Sequence, residues 1–400
     1  MVLVDGSGQA IGDGYAWSDQ AGVAQLGSLW LPGKQELARA GRPCVVGSAV
    51  ARLHAMSVNS QMPDGVQWVL SPKDFVLLRL TGVAVTDATS AAYTLAFDVR
   101  ERRWSPELIS PTGLDVAQFP PVFAGDAVVG SVVASAATGL PAGVDVVTGG
   151  PDGTVGTAAI AGTADDVVVD IAGTTDVLTR VTRLLFEPPA GALLNPYVTA
   201  DAWSYGGPTG MTGGAVAYVS RLLGLGDVED AMAAGAQQWN EAGVGSAGLL
   251  VAPSFTGERF PRWRHDRAGG VFGLRDYHSP MHVLRATQEA AAFVVSEGVD
   301  LLAGPRDSAV SVVLAGGTSR SRLLAQLRAD VLGRQVQVCR EPDVTLLGAV
   351  ALASVGADVH ASLDDAVAGF GLPMDRLDPD PASESRYGDV YAEWLTRAMT

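Results

Sequence analysis

The chain has 400 residues, 48% of them hydrophobic and 18% charged, and a formal net charge of −16. That length points to two domains, each with enough apolar material for a core, and the acidic balance argues against nucleic acid or an anionic membrane surface as a partner. Two distant cysteines (Cys44 and Cys339) and five scattered histidines without HExxH spacing argue against a disulfide framework or a zinc site. No apolar stretch reaches membrane-spanning length, and the opening MVLVDGSGQAIGDG lacks the basic region and apolar core of a secretory leader. The expectation is a cytoplasmic protein with two reduced thiols.

In chain order, VLVD, GSGQ and AIGDGYAW read as strand, turn and strand, so the chain opens inside a β-hairpin with nothing before it to pair with. Residues 20–80 read as mainly helical, with a break near Gly41–Pro43. The clearest helix is PKDFVLLRLTG (72–82), with Pro72 suited to a first turn and Gly82 to the stop. VTDATSAAYTLAFDVRERRW (85–104) alternates small polar and apolar residues around a turn at Asp98. WSPELISPTGL (104–114) resumes a short helix, and 128–144 leads back into a sheet.

Three apolar runs then break at glycine: VDVVTGGPDG (144–153), VVVDIAGTTD (167–176) and VSVVLAGGTS (310–319). A β-branched run that stops at glycine reads as a buried strand reaching its carboxyl end, where ligands of open α/β sheets collect. Glycine backbones there let N–H groups approach an anion. Each turn taken singly is ordinary turn chemistry, and Asp152 taken singly is an Asx-turn or helix cap as readily as a base. Their order and spacing instead pick out Asp152 as a base facing a nucleotide, with Thr174 and Thr175 on the second turn and Gly316 and Gly317 on the third.

The small-residue segment 159–166 is the expected domain boundary, and a Gly/Pro-rich loop follows through Gly214. Helical patterns occupy 215–226, 228–243 and 282–304, the last with an inner stripe of Leu284, Thr287, Ala291, Val294, Val295 and Val299. A helix capped by Ser321 and stopped by Gly333, a short strand at 335–343 and an Ala-rich helix at 346–356 complete the pattern. Residues after Pro373 read as a polar, acidic surface appendage with a short final helix. Asp19, Asp170 and Asp176 read as turn and cap residues more readily than as metal ligands, and Glu258–Arg259 as a surface ion pair in a turn. Strands alternating with helices on both sides of the boundary predict two α/β domains with a cleft between them.

Taken together, the motifs resemble the FGGY carbohydrate kinases, the group containing xylulokinase, gluconokinase and glycerol kinase. The segments that carry the resemblance include AWSDQA (16–21), KDFVLLRLTG (73–82), VTDATSAAYTLAFD (85–98), TGLPAGVDVVTGGPDG (138–153), DIAGTTDVL (170–178), FTGERFPRWRHDRAGGVFGL (255–274), LAGGTSRSRLLAQLRADVLG (314–333) and EPDVTLLGAVALAS (341–354). The resemblance implies a two-domain actin-like (ribonuclease-H-like) ATPase fold, with an amino-terminal domain over 1–162, a carboxyl-terminal domain over 163–372 and a tail over 373–400. It also implies ATP- and Mg²⁺-dependent phosphorylation of a sugar, sugar acid or polyol, with Asp152 as general base and a homodimer as one possible assembly. Gly173 and Thr174 match a phosphate-binding turn, and Gly316, Gly317 and Ser321 match a nucleotide-binding turn. Trp17 matches a tryptophan that lines the sugar pocket in some members; its bland alternative is a packed aromatic.

Three departures stand out. The family's opening strand–DxGT–strand unit has no counterpart, so the first domain is expected to be N-terminally incomplete. Gly153 replaces an amide residue, and Gln20–Ala21 stand where an arginine often follows. A sugar- or nucleotide-binding relative without catalysis is therefore the competing expectation.

Overall fold

The computed structural model describes residues 1–16, 39–42, 48–133, 138–304 and 309–399. Two of the three glycine-terminated runs form its centre. Val167–Ala172 and Ser311–Gly316 are adjacent parallel strands, in register from Val167–Ser311 to Ala172–Gly316. Both are covered on each face, which is why their sequences run continuously apolar instead of alternating.

Around them lies a seven-stranded sheet in the order Leu193–Pro196, Trp203–Pro208, Val177–Thr182, Val167–Ala172, Ser311–Gly316, Val336–Cys339, Met374–Leu377. Ser311–Gly316 also pairs in parallel with Val336–Cys339, and the remaining neighbours are antiparallel. Helices Asp152–Ala161 and Val344–Gly356 cover one face through Val155, Ala158 and Leu352 on Val167, Val169 and Val313. Helices Pro280–Ala303 and Arg322–Leu332 cover the other through Val295, Val299, Ala325 and Ala329 on Val168 and Leu314. A mixed sheet with helices on both faces is the ribonuclease-H-like half that the motifs imply.

The amino-terminal half is built from short ladders. Val2–Val4 pairs with Trp68–Leu70, so the opening strand has a partner beyond its own hairpin; the return arm contributes one bridge, Val4 to Ala10. Helix Pro72–Thr81 forms as expected, with a capping box between Ser71 and Asp74 and Gly82 left-handed at its end.

Three segments depart from the sequence expectations. The 144–153 run yields only the strand Asp145–Val147, which is partly exposed and pairs with Val128–Ser131 outside the main sheet. The expected loop before Gly214 contains two sheet strands, Leu193–Pro196 and Trp203–Pro208. Its glycines mark crowding: a Cβ on Gly206, whose φ is 137°, would stand 2.0 Å from the Leu178 carbonyl oxygen. Gly206→Ala is accordingly expected to lower the unfolding free energy by about 1–3 kcal/mol, read from urea denaturation.

The residues after Pro373 form no appendage. Met374–Leu377 closes the sheet edge, and the 17-residue helix Pro381–Arg397 buries Tyr387 and Trp394 against Phe293. Tyr387, Val390, Tyr391 and Trp394 form a stripe at helical spacing that the segment's overall polarity conceals.

Candidate active site

The chain reaches the site through a short strand, a glycine pair and a helix. After Asp145–Val147, Gly149 takes a φ of 70°, and Asp152 opens the helix Asp152–Ala161 behind Pro151. Lys73 braces this turn from behind. Its Nζ donates to the Thr148 carbonyl at 3.0 Å and pairs with Asp74 at 2.6 Å and Asp87 at 3.1 Å. Burial opposes the Lys73 charge, but the two carboxylates outweigh it and raise the pKa. The Asp152 side chain is exposed and accepts one hydrogen bond, from Gly153 N at 2.7 Å.

Asp152 borders a cleft of about 590 Å³ that also takes in Thr174 and Thr175, with Arg42 and Tyr93 on the wall contributed by the amino-terminal half. Thr174 borders a second cleft as well. This one, of about 660 Å³, is edged by Gly173, Gly317 and Ser321. The base candidate and the two downstream turns therefore meet at a common boundary, with Thr174 on both sides of it.

The third turn is closed by backbone contact. Gly317 N donates to the Ala172 carbonyl at 2.6 Å, and a Cβ on Gly316 would lie 2.4 Å from that same oxygen. Gly316 thus joins the two central strands and does not border the cleft, whereas Gly317 does. Ser321 Oγ caps the helix Arg322–Leu332, accepting from Leu324 N. Trp17 lies outside the described residues, as do Asp19, Gln20 and Cys44.

Several neighbours of the site escaped the sequence reading. Gly213 and Gly214 let the start of helix Gly213–Leu222 dock on the Gly173–Thr174 turn, with Gly214 N donating to the Thr174 carbonyl at 2.9 Å. Side chains there would collide: a Cβ on Gly213 would come within 2.4 Å of the Gly173 oxygen. The signal was present, since a glycine pair directly ahead of an amphipathic run lets a helix N-terminus approach another backbone closely.

Asp170 and Asp176 are not turn or cap residues. Arg328, which also borders the second cleft, holds Asp176 at 2.8 Å and Asp170 at 3.4 Å, all three side chains being buried. Thr212 Oγ1 donates to Asp176 Oδ1 at 2.8 Å. Burial, reinforced by the Asp176 charge and opposed by Arg328, pushes the Asp170 pKa well above the usual carboxylate range. Glu258 is likewise buried, 3.5 Å from Arg267 and hydrogen-bonded by Ser254, while Arg259 turns into the first cleft. That pair of neighbours is not a surface ion pair.

Comparison with known proteins agrees with this layout. The N-terminal domain of the FGGY family of carbohydrate kinases matches residues 1–159, and its C-terminal domain matches 168–357. The chain is 29% identical over 322 residues to the xylulose kinase of Escherichia coli (strain K12), covering 80% of this chain and 66% of that protein. It is 30% identical over 341 residues to the xylulose kinase of Klebsiella pneumoniae, covering 84% and 68%. It thus spans about two thirds of the length of these relatives. The gluconate kinase structure from Lactobacillus acidophilus shares the fold with a TM-score of 0.87 at 20% identity, covering 99% of this chain and 81% of that one. Two adjoining clefts that meet at Thr174, and both family domains matched in order along most of the sequence, lead to one assignment: the chain belongs to the FGGY family of carbohydrate kinases.

Proposed function

We propose that the protein transfers the γ-phosphoryl group of ATP to a hydroxyl of a small carbohydrate, with Asp152 as general base. The observation that carries this reading is the shared boundary at Thr174: the carboxylate faces one cleft, the nucleotide turns edge the other, and a phosphoryl group has only that boundary to cross. Phosphoryl transfer asks for positioning and charge neutralisation more than for covalent chemistry. An acceptor hydroxyl gains nucleophilicity as Asp152 takes its proton. Thr174 and Thr175 supply hydroxyl and backbone donors to the β- and γ-phosphates, Gly317 lets the nucleotide lie against the main chain, and Ser321 edges the same wall.

Mg²⁺ would accompany the nucleotide, neutralising phosphate charge. Among the described residues no group of three His, Cys, Asp or Glu side chains could hold an ion alone. Such an ion would be held mainly by phosphate oxygens and water, with Glu229 and Asp152 as the carboxylates that border the two clefts. We place the reaction in the cytoplasm, where ATP is supplied; none of the described helices is long and apolar enough to cross a membrane.

The test is ADP release with ATP, Mg²⁺ and a panel of pentuloses, aldonates and polyols. Release stimulated at least tenfold by one acceptor class supports the reading. A rate that no acceptor raises above the acceptor-free rate refutes it.

A further inference from the structure

The acceptor cleft carries a charge pattern opposite to that of the protein. The chain as a whole has a formal net charge of −16, yet two guanidiniums, Arg42 and Arg259, and one carboxylate, Asp152, border this cleft. Arg42 is the unusual member. It is 5% exposed, and its Nε is buried without a hydrogen-bond partner. Its guanidinium lies 4.2 Å above the Tyr93 ring and donates through Nη2 to Asn195 Oδ1. No carboxylate lies within ion-pairing distance of it among the described residues. Burial pulls its pKa down to about 10, so it remains a cation at neutral pH. Among the described residues every contact it makes is to a neutral group, and a buried cation without a counter-ion is a costly arrangement for a fold to keep.

The backbone holds Arg42 in this position. Gly41, with φ 67°, accepts from Leu194 N at 2.8 Å, and a Cβ on it would stand 2.3 Å from the Leu194 carbonyl oxygen. This clip sets Arg42 against the sheet-edge strand Leu193–Pro196, beside Asn195. Asp152 belongs to the opposite end of the cleft, where a Cβ on Gly153 would lie 3.8 Å from the Val177 side chain. The register pairs Val177 with Pro208 and Ser204 with Asn195, so Asn195 lies two strands across and four residues along from Val177. At strand spacings of ~4.8 Å and rises of ~3.3 Å per residue, the two backbone positions are on the order of 16 Å apart. With side chains reaching inward from both ends, the remaining gap suits an extended chain hydrogen-bonded at each end and is too long for a three-carbon polyol.

We propose that Arg42 selects an acceptor bearing a carboxylate at the end remote from the hydroxyl that is phosphorylated, an open-chain sugar acid. The assignment rests on the kinase reading above and adds the substrate class. A carboxylate matches the planar guanidinium fork and supplies the counter-charge that the protein itself does not.

Calorimetry without nucleotide tests it on the intact chain, using D-gluconate, D-glucitol and D-glucitol 6-phosphate, which differ in their end groups. D-gluconate is expected to bind ~10–100-fold more tightly than D-glucitol, the worth of one charge-assisted pair. Arg42→Met should bring that ratio close to one, and Arg42→Lys should restore part of it. In turnover, Arg42→Met should raise KM for the aldonate while leaving KM for ATP in place. Equal binding of gluconate and glucitol, a preference for the phosphate ester, or an unchanged ratio in Arg42→Met overturns the proposal. Should Arg42→Met fail to fold, the wild-type ratio decides alone. Turnover of neutral sugars without aldonate preference would defeat this inference and leave the kinase reading standing. Arg42-dependent gluconate binding without turnover would do the reverse.

Discussion

Asp152→Asn is expected to lower kcat by ~10²–10⁴-fold, the usual worth of a general base, while KM for ATP changes little. The amide preserves the shape of the side chain but accepts no proton from the acceptor hydroxyl. Asp152 is exposed, and its side chain makes one hydrogen bond among the described residues, from Gly153 N. An asparagine oxygen can keep that bond, so the unfolding midpoint should stay in place. Steady-state ADP release gives kcat, and thermal unfolding of both proteins separates chemistry from folding. A kcat for Asp152→Asn within about threefold of wild type would mean that the proton goes elsewhere.

Arg328→Met should produce the largest loss of stability. It strands Asp170 and Asp176 in the interior with no cation, and breaking a buried ion pair from one side costs about 3–5 kcal/mol. The effect carries a pH signature. Because burial raises the folded-state pKa of Asp170 above its unfolded value, the native state holds that proton more tightly. The resulting stabilisation is fully present below the unfolded carboxylate range, near pH ~4, and is lost as pH rises through the raised folded value. Removing the opposing Arg328 charge raises the Asp170 pKa further, so the stability of Arg328→Met should fall more steeply with pH than that of wild type. Asp170→Asn should flatten the slope, because Arg328 still has Asp176 at 2.8 Å. Urea denaturation between pH 4 and 8 measures all three; parallel pH profiles would show that the triad does not control the titration.

What the sequence revealed and what it hid divide along physical lines. Strands buried on both faces announce themselves as unbroken β-branched runs, and capped helices announce themselves through Pro72 and Gly82 or Ser321 and Gly333. The glycine turns were legible because a bend at a strand end leaves a local trace. Local pattern carries no information on pairing partners. Leu193–Pro196 and Trp203–Pro208 looked like loop because glycine and proline occur in them, yet Gly206 serves a close approach between strands. The final helix was hidden by its charge, and Tyr387 and Trp394 find their partner Phe293 about a hundred residues earlier. Asp170, Asp176 and Arg328 are ordinary residues until the third dimension brings them together. Arg42 gave no motif at all, since its meaning lies in its burial, in the company of Tyr93 and Asn195, and in the lack of an acidic partner among the described residues.

The hairpin over 193–208 belongs to two bodies at once. Its ladder joins the carboxyl-terminal sheet, but Gly41, Thr89 and Gly125 of the amino-terminal half are hydrogen-bonded to Leu194, Pro196 and Val198. Any rocking of one half against the other must pivot at this splice, so the wall of the first cleft that Leu193 and Asn195 form should hardly move. In hydrogen exchange, the Leu194 and Gly125 amides should stay protected with or without nucleotide, whereas protection around Gly317 should rise when ATP is added.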